Sequence, residues 1–282
     1  IEAYKTNHNP KFSYLEPIQT FKKRKDLPKE LYNLDILDGS PPCSSFSVSG
    51  NREKDWGKNK KFREGQAKQT LDTLFFDFID LAKELQPKIV VAENVKGLLL
   101  GNAKKYVIKI YNEFEKAGYH CQHFLLNASK MGVPQKRERV FFICLRKDLA
   151  KPFLHQKDMF TVNPKLSLNF NCKEIPFKEI EDASDLTIKD NTKISDFWDL
   201  VDFGQQFSRA HPKGSFFNDN KTDPNKPITT ITADTHHGSW HYSIKRRLND
   251  LEIIRAGTYP LDYNFCRNRP KYLIAFNLDY VS

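Results

Sequence analysis

The spacing of apolar positions changes along the chain, and the first half alternates between runs suited to strands and runs suited to helices. Residues 34–38, Leu-Asp-Ile-Leu-Asp, predict a short strand. Gly39-Ser40-Pro41-Pro42 stops it, because proline cannot donate to a ladder. From Gln69, the positions Leu71, Leu74, Phe75, Phe78, Leu81, Ala82 and Leu85 fall on one helical face, and Pro87 marks the exit. Ile89-Val90-Val91-Ala92 is an uninterrupted, largely β-branched run that predicts a buried parallel strand ending before Glu93. A second helix is expected over 104–116 through Val107, Ile110, Tyr111 and Phe114, with Gly118 as its cap. Strands over 120–126 and 140–145 follow. This order predicts an α/β fold with a doubly wound parallel sheet, in which ligands bind at the carboxyl ends of strands.

Beyond Lys147 the pattern dissolves. From about Ala150 to Asn225 the chain is polar and irregular, with scattered aromatics such as Phe177, Trp198 and Phe207, and it predicts a smaller separate lobe. Periodicity returns at a last helix, with Asn249 as cap, Glu252 three residues on, then Ile253 and Ile254, Gly257 at the exit and Pro260 beyond. The expected organisation is 1–149 as a catalytic α/β domain, 150–227 as the smaller lobe and 228–282 as a return to the first domain.

Composition narrows the function classes. Hydrophobic residues make up 39% of the 282, enough for a substantial core, so global disorder is not expected despite a mean hydropathy of −0.62. Lys and Arg exceed Asp and Glu by 45 to 35, a surplus that suits a polyanionic partner. Part of it is concentrated in Arg52, Lys54, Lys58, Lys60, Lys61 and Arg63, and part in Lys22-Lys23-Arg24-Lys25; solvated surface loops are the alternative for either run. The five cysteines contain no C-x-x-C pair, which disfavours a disulfide scaffold or a zinc ribbon and predicts a reducing, cytoplasmic setting and no metal. The longest apolar run, 140–145, falls far short of the roughly 20 residues that span a bilayer, and no signal-peptide pattern opens the chain.

Three places carry candidate chemistry. Cys43 follows Pro41-Pro42 just past a strand and is flanked by Ser44 and Ser45; this suggests an exposed thiol on a rigid turn, near cations that favour the thiolate, whereas an isolated Cys is more often a small buried hydrophobe. Glu93, followed by Asn94-Val95, stands at a strand's carboxyl end, where a carboxylate can do acid or hydrogen-bond work. A capping or turn role for Glu93 and Asn94 is the alternative, and spacing does not separate the two. Gln135, Arg137 and Arg139 alternate, so in an extended segment they share a face that could grip phosphate or a base edge, unless they form a surface charge ladder.

In this order, five blocks resemble the DNA cytosine-5 methyltransferases of bacterial and phage restriction-modification systems: Pro41-Pro42-Cys43 with Phe46-Ser47, Thr73-Leu74-Phe75-Phe76-Asp77, Glu93-Asn94-Val95, Gly132 to Arg139, and Arg247-Leu248 with Glu252 and Tyr259-Pro260. The resemblance implies a Rossmann-like methyltransferase sheet that methylates C5 of cytosine in double-stranded DNA from S-adenosylmethionine. Cys43 would add to C6 of a base flipped out of the duplex. Glu93 would hydrogen-bond N3 and the exocyclic amine, Arg139 would hold O2, and Arg137 would face the DNA backbone or support the Cys43 loop. Pro42 and Leu74 would line the cofactor pocket. The loop after Cys43, with Ser49 and Gly50, would close over the DNA, and 150–227 would be the target-recognition lobe.

The sequence also departs from that family. A Gly-rich cofactor turn, its following acidic residue and the usual closing Gly-x-Ser/Ala-Val-Pro segment are not found, and the chain opens on Ile1. A fragment, or an enzyme completed by a second polypeptide that supplies the cofactor motif, is therefore expected. The competing expectations are an inactive DNA-binding remnant, a cytosine-5 methyltransferase of tRNA and, more distantly, a thiol hydrolase built on Cys43.

Overall fold

A computed structural model describes residues 1–41, 71–155, 164–188, 193–214, 219–231 and 238–265. The regular elements in chain order are α1 (Glu2–His8), α2 (Ile18–Phe21), β1 (Ile36–Gly39), α3 (Leu71–Leu85), β2 (Ile89–Val95), α4 (Lys104–Lys116), β3 (Tyr119–Asn127), β4 (Gln135–Lys136), β5 (Glu138–Arg146), α5 (Lys147–Ala150), β6 (Asn220–Lys221), β7 (Ile228–Thr229), β8 (Ser239–Trp240) and α6 (Asp250–Ala256). The chain divides into two compact units. One comprises Tyr14–Leu126 and Glu138–Asn169; the other comprises Ile1–Ser13, Asn127–Arg137 and Phe170–Ser282.

The first unit is built on a four-stranded sheet of order β1-β2-β5-β3. Alternation along β2 buries Val90, Ala92 and Asn94, and alternation along β5 buries Val140, Phe142 and Cys144. Against these pack Phe75, Phe78, Ile79 and Ala82 of α3 and Tyr106, Val107, Ile110 and Phe114 of α4, in one continuous apolar cluster. The 3-4 spacing of those positions is what makes both helices one-sided. Phe75 and Phe142 meet edge to face at 5.5 Å between ring centroids. Past the end of α4, Gly118 adopts φ +94 and its N–H bonds the Glu115 carbonyl, the left-handed exit that glycine allows.

Two expectations need correction here. The sheet is mixed: β1 and β2 run parallel, but β2 and β5 are antiparallel, with Ile89 opposite Leu145 and Val95 opposite Arg139. A continuous apolar run follows from burial on both faces, which an antiparallel neighbour permits as well. Glu93 also lies inside β2, because pairing with β5 continues through Glu93, Asn94 and Val95 after pairing with β1 has ended at Gly39 and Ala92.

The second unit contains two short parallel pairs, β4 with β7 and β6 with β8. Its apolar clusters are small: Phe177, Ile180, Ile228 and Ala256 in one, Val201, Phe207 and Trp240 in the other. Between regular elements, polar side chains complete the unit. Arg246, 2% exposed, donates from both terminal nitrogens to the fully buried carboxylate of Glu252 at 2.8 and 2.9 Å. Glu252 also accepts the Asn249 N–H, while Asn249 accepts the Glu252 N–H, which closes the capping box of α6 expected from the sequence.

Candidate active site

In the sheet unit, the chemistry gathers where β2 outlasts β1. β1 stops because Gly39 is followed by Ser40-Pro41-Pro42, and two prolines offer no N–H to the ladder. Gly39 is required by a close approach: a Cβ there would stand 2.6 Å from a Phe78 ring carbon of α3. Two residues on, Asn94, 3% exposed, donates its amide to the Pro41 carbonyl at 3.1 Å and accepts the Val95 N–H at 2.9 Å.

Glu93 precedes it on the same strand. Its side chain is 16% exposed and Oε1 lies 2.8 Å from Nε of Arg139, itself 21% exposed. The approach is an ion pair without hydrogen-bond alignment, so the buried Oε1 accepts no hydrogen bond among the described residues. Arg139 is held from a second side, donating Nη1 to the Glu138 carbonyl at 2.9 Å. An outer, exposed pair, Lys96 with Glu138 at 2.7 Å, joins the same ends of the sheet. The result is a carboxylate with acceptor capacity to spare beside an oriented guanidinium, a pair able to bind an amine edge and a carbonyl.

The expected common face of Gln135, Arg137 and Arg139 does not form. An N–H of Arg137 bonds the Gln135 carbonyl at 3.1 Å, a three-residue turn that interrupts the extended run on which the alternation depended. Gln135, 4% exposed, accepts the Ile231 N–H and donates to the Ala256 carbonyl, so its amide is committed inside the second unit. Arg137 also addresses Ile231, through its carbonyl at 3.5 Å. In that unit, burial pushes the Tyr259 hydroxyl up to about 12, with Tyr263 adding to the rise and the Arg137 charge opposing it. Leu74 is buried, 7% exposed, on α3. Pro42, Cys43 and Ser49 lie outside the described residues.

No local pattern marks the Pro41 carbonyl as the partner of the Asn94 amide, for which the sequence offers only a capping or turn role. The strand alternation could have shown that a partner exists, since a buried polar residue at an inward position must have one. Among the described residues no group of His, Cys, Asp and Glu is arranged to hold a metal, and no helix is long and apolar enough to cross a membrane.

The model of the C-5 cytosine-specific DNA methylase family matches residues 1–275, and the chain belongs to that family. It is 38% identical over 190 residues to the type II methyltransferase M.HhaI of Haemophilus parahaemolyticus, covering 66% of this chain and 49% of that one. Over 310 residues it is 27% identical to M.DdeI of Desulfomicrobium norvegicum, covering 94% and 71%. It is 37% identical over 161 residues to the orphan methyltransferase M.SPRI of Bacillus phage SPR, covering 57% of this chain and 31% of the relative; the chain thus spans under a third of that relative's length. Among solved structures, a Spodoptera frugiperda DNMT2 variant shares the fold at a TM-score of 0.56 and 19% identity, covering 99% of this chain and 86% of the other.

Proposed function

We propose that this chain methylates C5 of cytosine in double-stranded DNA, with Cys43 as the nucleophile. The observation that carries the reading is the Glu93–Arg139 ion pair, 2.8 Å apart and mostly buried, at the ends of β2 and β5. Cytosine C5 is a poor nucleophile. Addition of a thiolate to C6 moves electron density to C5, which can then take an electrophile; loss of the C5 hydrogen as a proton and departure of the thiolate restore the ring. Glu93 suits the N3 and amine edge, where charge changes during addition, and Arg139 suits O2. Arg137 would contact the DNA backbone or support the Cys43 segment, and Ser49 the DNA. Both reacting atoms lie inside the base stack, so the base must leave it, at a cost of a few kcal/mol.

S-adenosylmethionine, which supplies an electrophilic methyl group, is the cofactor the family membership supports. The described residues offer it one candidate contact, the buried Leu74. A single leucine does not hold a nucleoside and an amino acid, so the described residues alone do not make up a site for it. The family match over residues 1–275 gives no support to a second polypeptide.

The first half of the reaction can be tested without cofactor. Thiolate addition lets solvent protonate C5, so duplex DNA carrying [5-3H]cytosine should release tritium to water in the presence of the chain. Cys43→Ala should abolish release and keep DNA binding. No release from wild type, or release from tRNA alone, would overturn the proposal.

A further inference from the structure

We infer that Cys121 and Cys144 form a redox-sensitive dithiol, a modification site at which a low-molecular-weight disulfide such as glutathione disulfide converts two thiols into a reversible cross-strand bond. Register carries the argument. β3 and β5 are neighbours in the sheet. Beyond one end of the pair the Ala128 N–H bonds the Arg137 carbonyl at 2.9 Å, and beyond the other the Lys147 N–H bonds the Gly118 carbonyl at 3.0 Å. The strands are therefore antiparallel, and each has nine residues between those bonds, so an unbulged ladder sets Cys121 opposite Cys144. His123 and Phe142, the next pair on the same face, agree with this register, their ring centroids 6.0 Å apart. Residues 118 and 128 belong to hydrogen-bonded pairs, and such pairs recur at every second residue between them. Cys121 and Cys144 thus fall in a non-hydrogen-bonded pair, where Cα atoms stand about 4.5 Å apart and side chains come closest.

That spacing lies at the short edge of the roughly 4.4–6.8 Å over which a disulfide joins two Cα atoms, so the bond can close with the strands in place, and its strain makes it easy to reduce. Both cysteines are free. Cys144 is fully buried and Cys121 half-buried, so Cys121 is the thiol that a dissolved disulfide reaches. Burial pushes the Cys144 thiol up from its ordinary value, and a hydrogen bond with Cys121 adds to the rise. Exchange then runs in two steps. Cys121 gives up its proton, and its sulfur attacks one sulfur of the dissolved disulfide, whose other half leaves as a thiolate. Cys144 gives up its proton in turn, its sulfur attacks that of Cys121, and the second half leaves as a thiolate. Two protein thiols are oxidised to one disulfide, one small disulfide is reduced to two thiols, and the protons released end on the departing thiolates. Because Cys144 holds its proton tightly, it resolves the mixed disulfide and does not start the exchange.

The test treats the whole chain with glutathione disulfide at neutral pH, blocks remaining thiols with iodoacetamide and maps tryptic peptides by mass spectrometry. Cys121 lies in the peptide 117–130 and Cys144 in the peptide 140–146. The two peptides should be joined, with the free thiol lost at both positions in step, and excess reduced glutathione should restore both thiols. A chain unfolded in guanidinium before treatment should instead distribute Cys121 among several partners, because only chain length then sets proximity. In Cys144→Ala the glutathione mixed disulfide at Cys121 should accumulate, since no second thiol displaces it. Peptides that stay separate in the folded wild type, a lasting mixed disulfide at its Cys121, or a link no more selective in the folded than in the unfolded chain would overturn the assignment. A link that survived excess reduced glutathione would overturn its reversibility.

Discussion

The two units reach a folded state by different means. The sheet unit buries one unbroken apolar cluster drawn from two helices and the inner faces of β2 and β5. Among the described residues the second unit has two clusters of a few residues each, and polar groups join them in the interior: Arg246 with Glu252, His241 beside Glu181 and Glu252, and Asp219, 1% exposed, accepting from Gly238, Trp240 and Arg247. Apolar burial is non-directional and tolerates replacement by residues of similar volume. A buried charge pair is directional, and removing either member leaves the other uncompensated. The sheet unit should therefore forgive changes of polarity at its rim, and the other unit should be brittle at a few named side chains.

The sharpest way to break this comparison is one substitution in each unit. Glu252→Gln removes the charge that balances Arg246 at 2% exposure while keeping an oxygen that can serve the capping box, and should cost about 3–5 kcal/mol. Phe142→Ala should cost a similar amount, about 3–5 kcal/mol, by opening a cavity beside Phe75 and Tyr111. Total stability cannot distinguish them; hydrogen exchange can. Glu252→Gln should raise exchange across 239–252 and leave β2 and β5 protected, while Phe142→Ala should do the reverse. If each substitution loosened both sets of amides alike, the contrast between the units would be lost.

The same contrast explains what could be read from the sequence. The helix over 104–116 and the strand over 140–145 were legible because core residues recur at a fixed period: Val107, Ile110 and Phe114 are buried as expected and Tyr111 half-buried, while Val140, Phe142 and Cys144 are buried in the strand. The capping box at Asn249 and Glu252 was legible because it is a local pattern. Strand direction was not, since burial on both faces looks alike in either sense. The interior role of Gln135 was hidden because its partners, Ile231 and Ala256, lie about a hundred residues away and no periodicity marks them. Glu252 was legible as a capping residue but not as the partner of Arg246, because no local pattern marks Asp182, Asp185 and His241, which enclose the pair. Of the candidate site, Glu93 and Arg139 were found by type and position, and their pairing required the antiparallel register of β2 and β5.

A smaller effect is pH-dependent, and His241 carries it in the second unit as His123, its pKa also lowered by burial, does in the sheet unit. His241 is 1% exposed and its Nδ1 accepts the N–H groups of Ser243 and Ile244, while Nε2 faces Glu181 at 3.4 Å and Glu252 at 3.6 Å. Burial lowers its pKa below the usual 6.5; Glu252 opposes this, Arg246 adds to it, and Glu181 opposes it. A depressed histidine pKa means that the unfolded chain binds the proton more readily. The stability held above about pH 6.5 should then decline as pH falls from there toward the folded-state pKa, by no more than about 1.4 kcal/mol per pH unit. Denaturant titrations at a series of pH values should show the decline setting in as pH falls below about 6.5, and His241→Phe should reduce it. A decline unchanged by the substitution would place the titrating group elsewhere.

The mildest expected effect sharpens the comparison most, because it sets a local signal against its surroundings. Asn249 caps α6 by accepting the Glu252 N–H, and its Nδ2 also bridges two carboxylates, Asp182 at 2.9 Å and Asp185 at 3.1 Å. The Thr187 hydroxyl first, and Asn249 second, hold the Asp185 carboxyl down to about 2. Asn249→Ala should cost about 1 kcal/mol, the usual value of a cap. Aspartate ranks level with asparagine as a cap, so in a helix judged by local rules Asn249→Asp would be neutral. Here it would set a third carboxylate against Asp182 and Asp185 and remove the donor that joins them, so the Asp variant should be no more stable than the Ala variant at neutral pH. Added salt should narrow its deficit by screening the repulsion. An Asp variant as stable as wild type would mean that capping alone governs this position, and that the polar interior of the second unit is looser than its distances imply.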